Sequence, residues 1–368
     1  MAEIIEKIPV APDHYGWARF PETEKRIEYG RFRNVYLYIT EVCQLRCSHC
    51  YMGERLDLAR VMPLEKVRKT LALWRQMGGS KLTLLGGEPT THPQFRECVQ
   101  AAYELGYEKV IITTNGLGPA RRTFLNLDPS LFNYIQISLD GGSKETHDRV
   151  RGPGTFKYAV ETSKTLAAAG YDVRFICTVS KNNVADCLDL IALADETGVT
   201  LVKYHVFSTI GTGKGDEGAA LTPVEWVEFC DALKQQQGRS KCQIWYQPTY
   251  VRVSEVQKYY DEGYRGCIGR TMDRISIFPD GRCYVCSYLF DTDFQFCTMD
   301  EDGIRVNPGT NEFTLFAQAL SRPSCGSCKS PASCCGGCPA EKYAMGAASC
   351  EAYPDIVPIC RLWKSDAV

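Results

Sequence analysis

From Val35 to about Phe207, short runs of β-branched and apolar residues alternate with stretches whose apolar positions recur at helical spacing. This pattern predicts repeated β-α units around a parallel sheet. Strands are expected at VYLYIT (35–40), KLTLLGG (81–87), KVIITTN (109–115), YIQISLD (134–140), VRFICTVS (173–180) and LVKYHVF (201–207). Between them, PLEKVRKTLALWRQM (63–77) puts Val67, Leu71 and Trp74 on one helix face, and NVADCLDLIALADETG (183–198) repeats the pattern with Gly198 as its stop. Such stripes are core packing. The predicted class is α/β, with six strands forming a partial, TIM-like (β/α)6 barrel in place of a closed ring of eight.

Outside this region the pattern changes. Residues 1–33 are polar and weakly patterned, an N-terminal cap or extension; 34–215 is the expected barrel. Residues 216–265 read as a bridging helical region, with a helix at 222–236 and the aromatic stretch WYQPTYVRVSEVQKYYDEGY. After Gly266 comes a hairpin, RISIFPDGRCYVCSY, turning at Pro279-Asp280-Gly281. The rest of 266–368 is loop-rich and cysteine-dense, a segment that cannot build much apolar core and is expected to be held by metal clusters.

Formal charge is −2, so bulk electrostatics give no sign of a nucleic-acid partner. No run reaches the ~18 apolar residues of a membrane span. The opening MAEIIEKIPVAPDHYG has acidic residues where a signal peptide is basic. A cytoplasmic protein is expected, and there 19 cysteines argue for metal ligation over disulfides. Three sit at 43–50, five between 98 and 242, and eleven from Cys267 to Cys360; that shift in density marks the second domain.

The most informative group is the triplet Cys43-x3-Cys47-x2-Cys50 after the first strand, with no His or carboxylate placed as an obvious fourth ligand. A zinc site normally closes with four ligands, whereas a cubane cluster held by three cysteines leaves one iron open. With His49 before the third cysteine and Tyr51 after it, the motif resembles that of the radical S-adenosylmethionine enzymes. The resemblance implies a [4Fe–4S] cluster whose open iron is chelated by S-adenosylmethionine. An external donor, a flavodoxin or ferredoxin, supplies the electron that splits the sulfonium, and the resulting 5′-deoxyadenosyl radical abstracts a substrate hydrogen. The hard chemistry then belongs to the cofactor, and the protein orients it.

The same resemblance assigns the strand ends. Gly86-Gly87-Glu88-Pro89 is similar to the family's element that holds the methionine ammonium. Asn115 ends the third strand, and Ser138 and Asp140, at the end of the fourth, would face ribose and methionine groups. Arg151 would pair with the cofactor carboxylate, a task suited to a planar fork of donors. Ser180 and Asn183 would meet the ribose, and Gly211 and Gly213 of IGTGKG would form an adenine loop.

The C-terminal cysteines resemble the SPASM extension of this superfamily. On that pattern Cys267, Cys286 and Cys338 hold one auxiliary [4Fe–4S] cluster, with Cys283 as the nearest candidate for its fourth ligand or else an open iron. Cys325, Cys328, Cys334 and a late cysteine, Cys360 in preference to Cys350, hold the other. Zinc is the alternative for CGSC and CCGGC.

These features imply an oxidoreductase. The first reading is maturation of a ribosomally made peptide by cross-link, thioether or oxidation, with a separate peptide-recognition protein as a further partner, since residues 1–33 are too few for such a domain. The second is a small-molecule dehydrogenase or epimerase of sugar or aminocyclitol biosynthesis. An anaerobic sulfatase-maturing enzyme is disfavoured because Ser287 follows Cys286 where that group has Asp. Cys177 is the candidate catalytic thiol, able to return a hydrogen atom if it faces the barrel mouth. Tyr246, Tyr250, Tyr259 and Tyr260, with Asp280 and Asp291, are candidate substrate-pocket residues.

Overall fold

The computed structural model describes residues 32–246, 249–261, 264–267, 273–300, 303–307, 312, 340, 353–358 and 362–364. All six expected strands form: β1 (Asn34–Thr40), β2 (Lys81–Gly86), β3 (Lys109–Thr114), β4 (Tyr134–Ser138), β5 (Val173–Val179) and β6 (Leu201–Val206). Each pairs in parallel with its predecessor. Further strands are β7 (Gln243–Tyr246), β8 (Tyr250–Arg252), β9 (Tyr264–Cys267), β10 (Arg274–Ile277), β11 (Arg282–Tyr284), β12 (Cys297–Asp300), β13 (Gly303–Val306), β14 (Ile356–Pro358) and β15 (Leu362–Lys364).

The main sheet is one run of eleven strands, β13-β12-β11-β10-β1-β2-β3-β4-β5-β6-β7, whose two ends do not pair with each other. The barrel is therefore open, as the strand count predicts. The bounds expected at 215 and 265 do not interrupt this sheet. β7 continues it in parallel beyond β6, and β10 lies parallel to β1 on the other side. Arg33 and Asn34 stitch that second junction by bonding the Asp273 carboxylate at 2.7 and 2.9 Å. Among the described residues no helix is long and apolar enough to cross a membrane.

Alternation along the strands decides what faces where, because successive side chains point to opposite faces. Val35, Leu37 and Ile39 of β1, Leu82 and Leu84 of β2, Ile135 and Ile137 of β4 and Val173, Phe175 and Val179 of β5 are all fully buried in the main core, which includes Val67, Leu71 and Trp74 of the helix Leu64–Gln76. Among the intervening residues, Tyr36, Tyr38, Thr83, Gln136, Ile176 and Thr178 point into the barrel, where they line a cavity of about 290 Å³.

The other helices follow local chemistry. Thr222 and Glu225 cap the helix Pro223–Gln236 reciprocally, with proline in its first turn. Gly198, at φ 74°, ends the helix Asp189–Thr197 as expected. That helix starts six residues later than its apolar pattern predicts, because polar side chains before it bond elsewhere: Asn183 takes the amide of Ser180, and Asp186 takes the amide and hydroxyl of Ser143.

Candidate functional site

The loop leaving β1 carries Cys43, Cys47 and Cys50, and all three line the rim of the barrel cavity. Its path is fixed from several sides. Gly87 and Glu88 donate their amides to Thr40 and Val42 carbonyls, both at 2.8 Å. A Cβ on Gly87 would stand 2.5 Å from the Val42 oxygen, so only glycine lets the second strand end run this close. From the far side Thr212 donates its amide to the Cys50 carbonyl at 2.9 Å and its hydroxyl to that of Cys47 at 3.0 Å. Gly211, at φ +62°, lies so close that a Cβ would sit 2.2 Å from the Cys50 oxygen.

Burial pushes the thiols of all three cysteines up, that of Cys43 to about 12, so ligation there releases protons. Among the described residues no three His, Cys, Asp or Glu side chains gather as they would around a single metal ion. The thiols instead surround one face of a cavity. Three soft thiol donors on one short loop are the kind of set that would hold an iron–sulfur cluster.

Beside the rim is a buried ionic pair. Asp140 is fully buried and accepts from His49 Nε2 at 2.7 Å, Arg151 Nε at 2.5 Å and the Thr178 amide at 2.9 Å. Burial alone pushes its carboxyl up, but Arg151 and His49 outweigh this and hold it far below the usual carboxylate range. Arg151 also points Nη1 at Cys47 Sγ, 3.9 Å away. A guanidinium here sets a fixed positive charge beside the Cys47 sulfur.

Gly86, Gly87, Glu88, Asn115, Ser138 and Arg151 all join the three thiols around this cavity. Pro89 is buried at the start of a short 3-10 turn next to them. Glu88 differs from expectation in one respect. Its carboxylate accepts from Thr90, Thr114 and Asn115 at 2.6, 2.8 and 2.7 Å, and burial pushes its pKa up. It therefore shapes the backbone around the site.

Several other expected site residues stand outside the cavity lining. Asp140 lies behind Arg151 and His49 and does not reach the cavity. Ser180 and Asn183 are buried, with the Asn183 amide spent on the Asp140 and Thr178 carbonyls at 2.9 and 2.8 Å; they tie strand ends together and do not line the cavity. Gly211, with Thr212, clamps the cysteine loop and Gly213 packs back on Phe207 and Ser208, while Ser208 and Ile210 line the cavity. Cys177 faces away from the mouth because Ile176 and Thr178 take the inward positions of β5. Its sulfur sits 3.5 Å from that of Cys187 in the core, and burial pushes its thiol well up, so it is no hydrogen donor to a substrate here.

Asp280 and Asp291 are also withdrawn from the pocket. Arg55, buried and stacked 4.2 Å over Phe278, bonds Glu41 and Asp280 at 3.1 Å and Asp291 at 2.6 Å. Arg60 adds bonds to Glu41 at 2.6 Å and Asp280 at 3.3 Å. Tyr246, Tyr250 and Tyr259 pack at the β7–β8 side and do not line the cavity; the Tyr260 side chain lies outside the described residues. Cys283 is buried opposite Cys297 in the β11–β12 pairing, its thiol on the Gly281 carbonyl at 3.3 Å. Cys286 is nearby, its amide held by Glu312 at 2.8 Å. β9 ends at Cys267; its side chain, and Cys325, Cys328, Cys334, Cys338 and Cys360, lie outside the described residues.

The sequence reading missed the deeper wall: Tyr36, Thr83, Gln136, Lys203, His205 and Arg274. A signal was present in polar residues recurring at every second position of otherwise apolar strands, as in YIQIS and LVKYHV.

Comparison with known proteins agrees with this site. Residues 37–194 match the Radical SAM superfamily. The chain is 28% identical to the AdoMet-dependent heme synthase of Methanosarcina barkeri, covering 68% of this chain and 75% of that protein. It is also 28% identical to the mycofactocin maturase MftC of Mycobacterium ulcerans, over 89% of this chain and 88% of that one. Streptococcus suis SuiB bound to its precursor peptide SuiA shares the fold, with a TM-score of 0.64 at 16% identity, covering 85% of this chain and 73% of SuiB. Residues 37–194 therefore form a radical SAM domain.

Proposed function

We propose that Cys43, Cys47 and Cys50 hold a [4Fe–4S] cluster with one open iron, that S-adenosylmethionine binds over it, and that the enzyme oxidatively modifies a ribosomally made peptide. The observation that carries this reading is the single cavity that joins the thiol rim and the Gly86–Glu88 turn to a deep polar interior. When bound and reduced by one electron, cluster and nucleotide supply a 5′-deoxyadenosyl radical. The chain's own residues do the rest. The glycine turn, Asn115 and Ser138 orient the nucleotide. Arg151 supplies positive charge for its carboxylate, and the barrel wall shields the reacting carbon from water.

Peptide modification is favoured over a small-molecule substrate by the extent of likeness. The mycofactocin maturase matches nearly the whole chain, whereas the heme synthase matches about two thirds. An epimerase loses its candidate donor with the burial of Cys177. Auxiliary clusters on the C-terminal cysteines, a flavodoxin or ferredoxin donor and a separate peptide-recognition protein belong to the same proposal.

The test is cleavage of S-adenosylmethionine by anaerobically reconstituted protein under dithionite. Wild type is expected to release 5′-deoxyadenosine, and Cys47→Ala to lose at least a thousandfold of that rate. Undiminished cleavage by Cys47→Ala would refute the ligand assignment.

A further inference from the structure

Barrels of parallel strands usually fill their interior with Val, Ile and Leu. Here inward positions of the wall carry charge: Lys81 at the start of β2, Arg274 at the start of β10, and Lys203 midway along β6. Lys81 and Arg274 stand at one level, each registered against Asn34 of the intervening β1. That level is the N-terminal end of the strands, opposite the thiol rim.

Arg274 is 4% exposed. Its guanidinium lies 4.0 Å over the Tyr36 ring, and Nη2 makes a long 3.4 Å bond to Ser276, but Nε has no partner. A buried charged donor left unused is costly unless another group accepts from it. The protein wall offers little. Among the described residues lining the cavity, Glu88 is the one carboxylate, and its oxygens are already occupied by Thr90, Thr114 and Asn115. Lys203 rests 4.7 Å over Trp245 and adds positive charge from the opposite wall.

We infer that Arg274 and Lys81 form a carboxylate-binding subsite at the deep end of the barrel, with Lys203 adding positive charge from across the cavity, and that this subsite takes an acidic side chain or the C-terminal carboxylate of the bound peptide. The inference rests on the proposed peptide substrate, since carboxylates are the anions a ribosomal peptide carries. A planar guanidinium stacked on an aromatic ring presents its edge to such a group. Anchoring the carboxylate there places a neighbouring C–H bond higher in the cavity, toward the thiols.

The test is ligand-observed NMR titration of the iron-reconstituted full-length protein with four probes: N-acetylglutamic acid α-amide, N-acetylglutamine amide, N-acetylglutamine with a free terminal carboxylate, and N-acetylphosphoserine amide. At least one carboxylate probe is expected to bind tenfold or more tightly than N-acetylglutamine amide, and which one does so tells a side-chain from a terminal anchor. Arg274→Gln and Lys81→Gln should each remove most of that preference, while Arg274→Lys keeps much of it. Equal affinity for acid and amide, no binding by any probe, or a preference that survives both glutamine variants would overturn the subsite. A tenfold preference for phosphoserine would replace carboxylate by phosphate. Nucleotide cleavage by wild type is scored separately, so failure of the radical reading is distinguishable from failure of the anchor.

Discussion

His147 shows how one buried side chain sets a pH limit. It is fully buried, accepts the Asp140 amide on Nδ1 at 3.1 Å, meets Phe156 edge to face, and leaves Nε2 without a partner. Burial, helped by Arg151, lowers its pKa to about 4 from an ordinary value of about 6.5. Between those values the unfolded chain takes up a proton that the folded chain refuses. Stability should therefore fall as pH drops from about 6.5 to about 4, by up to roughly 3 kcal/mol, and that loss should level off below. Asp140 and Asp280 sit below the usual carboxylate range, so their contribution is lost only at still lower pH. Calorimetric midpoints across pH 7 to 4 check this, with His147→Asn as the control that should flatten the slope. An unchanged slope in that variant would assign the acid sensitivity elsewhere.

At the scale of elements, the short helix Arg55–Leu58 is tied to the turn between β10 and β11. Arg55 has an almost fully buried side chain and contacts three carboxylates from two distant segments. Removing one partner of a buried ionic group strands the others. Arg55→Ala is expected to destabilise by about 3 kcal/mol, moderated because Arg60 still bonds Glu41. Lys69→Ala, which breaks only the exposed pair with Glu65, should leave the unfolding midpoint unchanged. Similar midpoints for the two variants would count against the network. The same turn was legible in the sequence as Pro-Asp-Gly, and so were the strands, because alternation and turn chemistry are local. The pairing of β10 with β1 was not. It joins residues about 240 apart through Arg33 and Asp273, and a four-residue strand carries no mark of its neighbour. The rim motifs could be read because residue type and spacing coincide there. The inward cations left only a fainter mark, polar residues at every second position of otherwise apolar strands, because a parallel strand is buried on both faces and its alternation is easily passed over.

For the whole molecule the open question of chemistry is how many clusters the chain holds, and the two neighbouring cysteines of the β11 hairpin offer a way to ask it. Cys283 is packed in the core, its thiol bonded to a carbonyl and facing Cys297. Cys286 is held at the end of the hairpin, with the Glu312 carboxylate bonding the Val285 and Cys286 amides at 2.5 and 2.8 Å. A carboxylate that fixes this backbone positions the residue as a ligand should be positioned, whereas the neighbour's environment is that of a small apolar side chain. Three clusters correspond to about twelve irons per chain. Cys286→Ala is expected to lose about four of them, and Cys283→Ala none, when iron and acid-labile sulfide are measured on anaerobically reconstituted protein. Wild-type iron near four would remove the auxiliary clusters. Equal losses in the two variants would return Cys283 to the ligand set and close the first auxiliary cluster, and so decide whether that cluster keeps an iron free to meet the substrate.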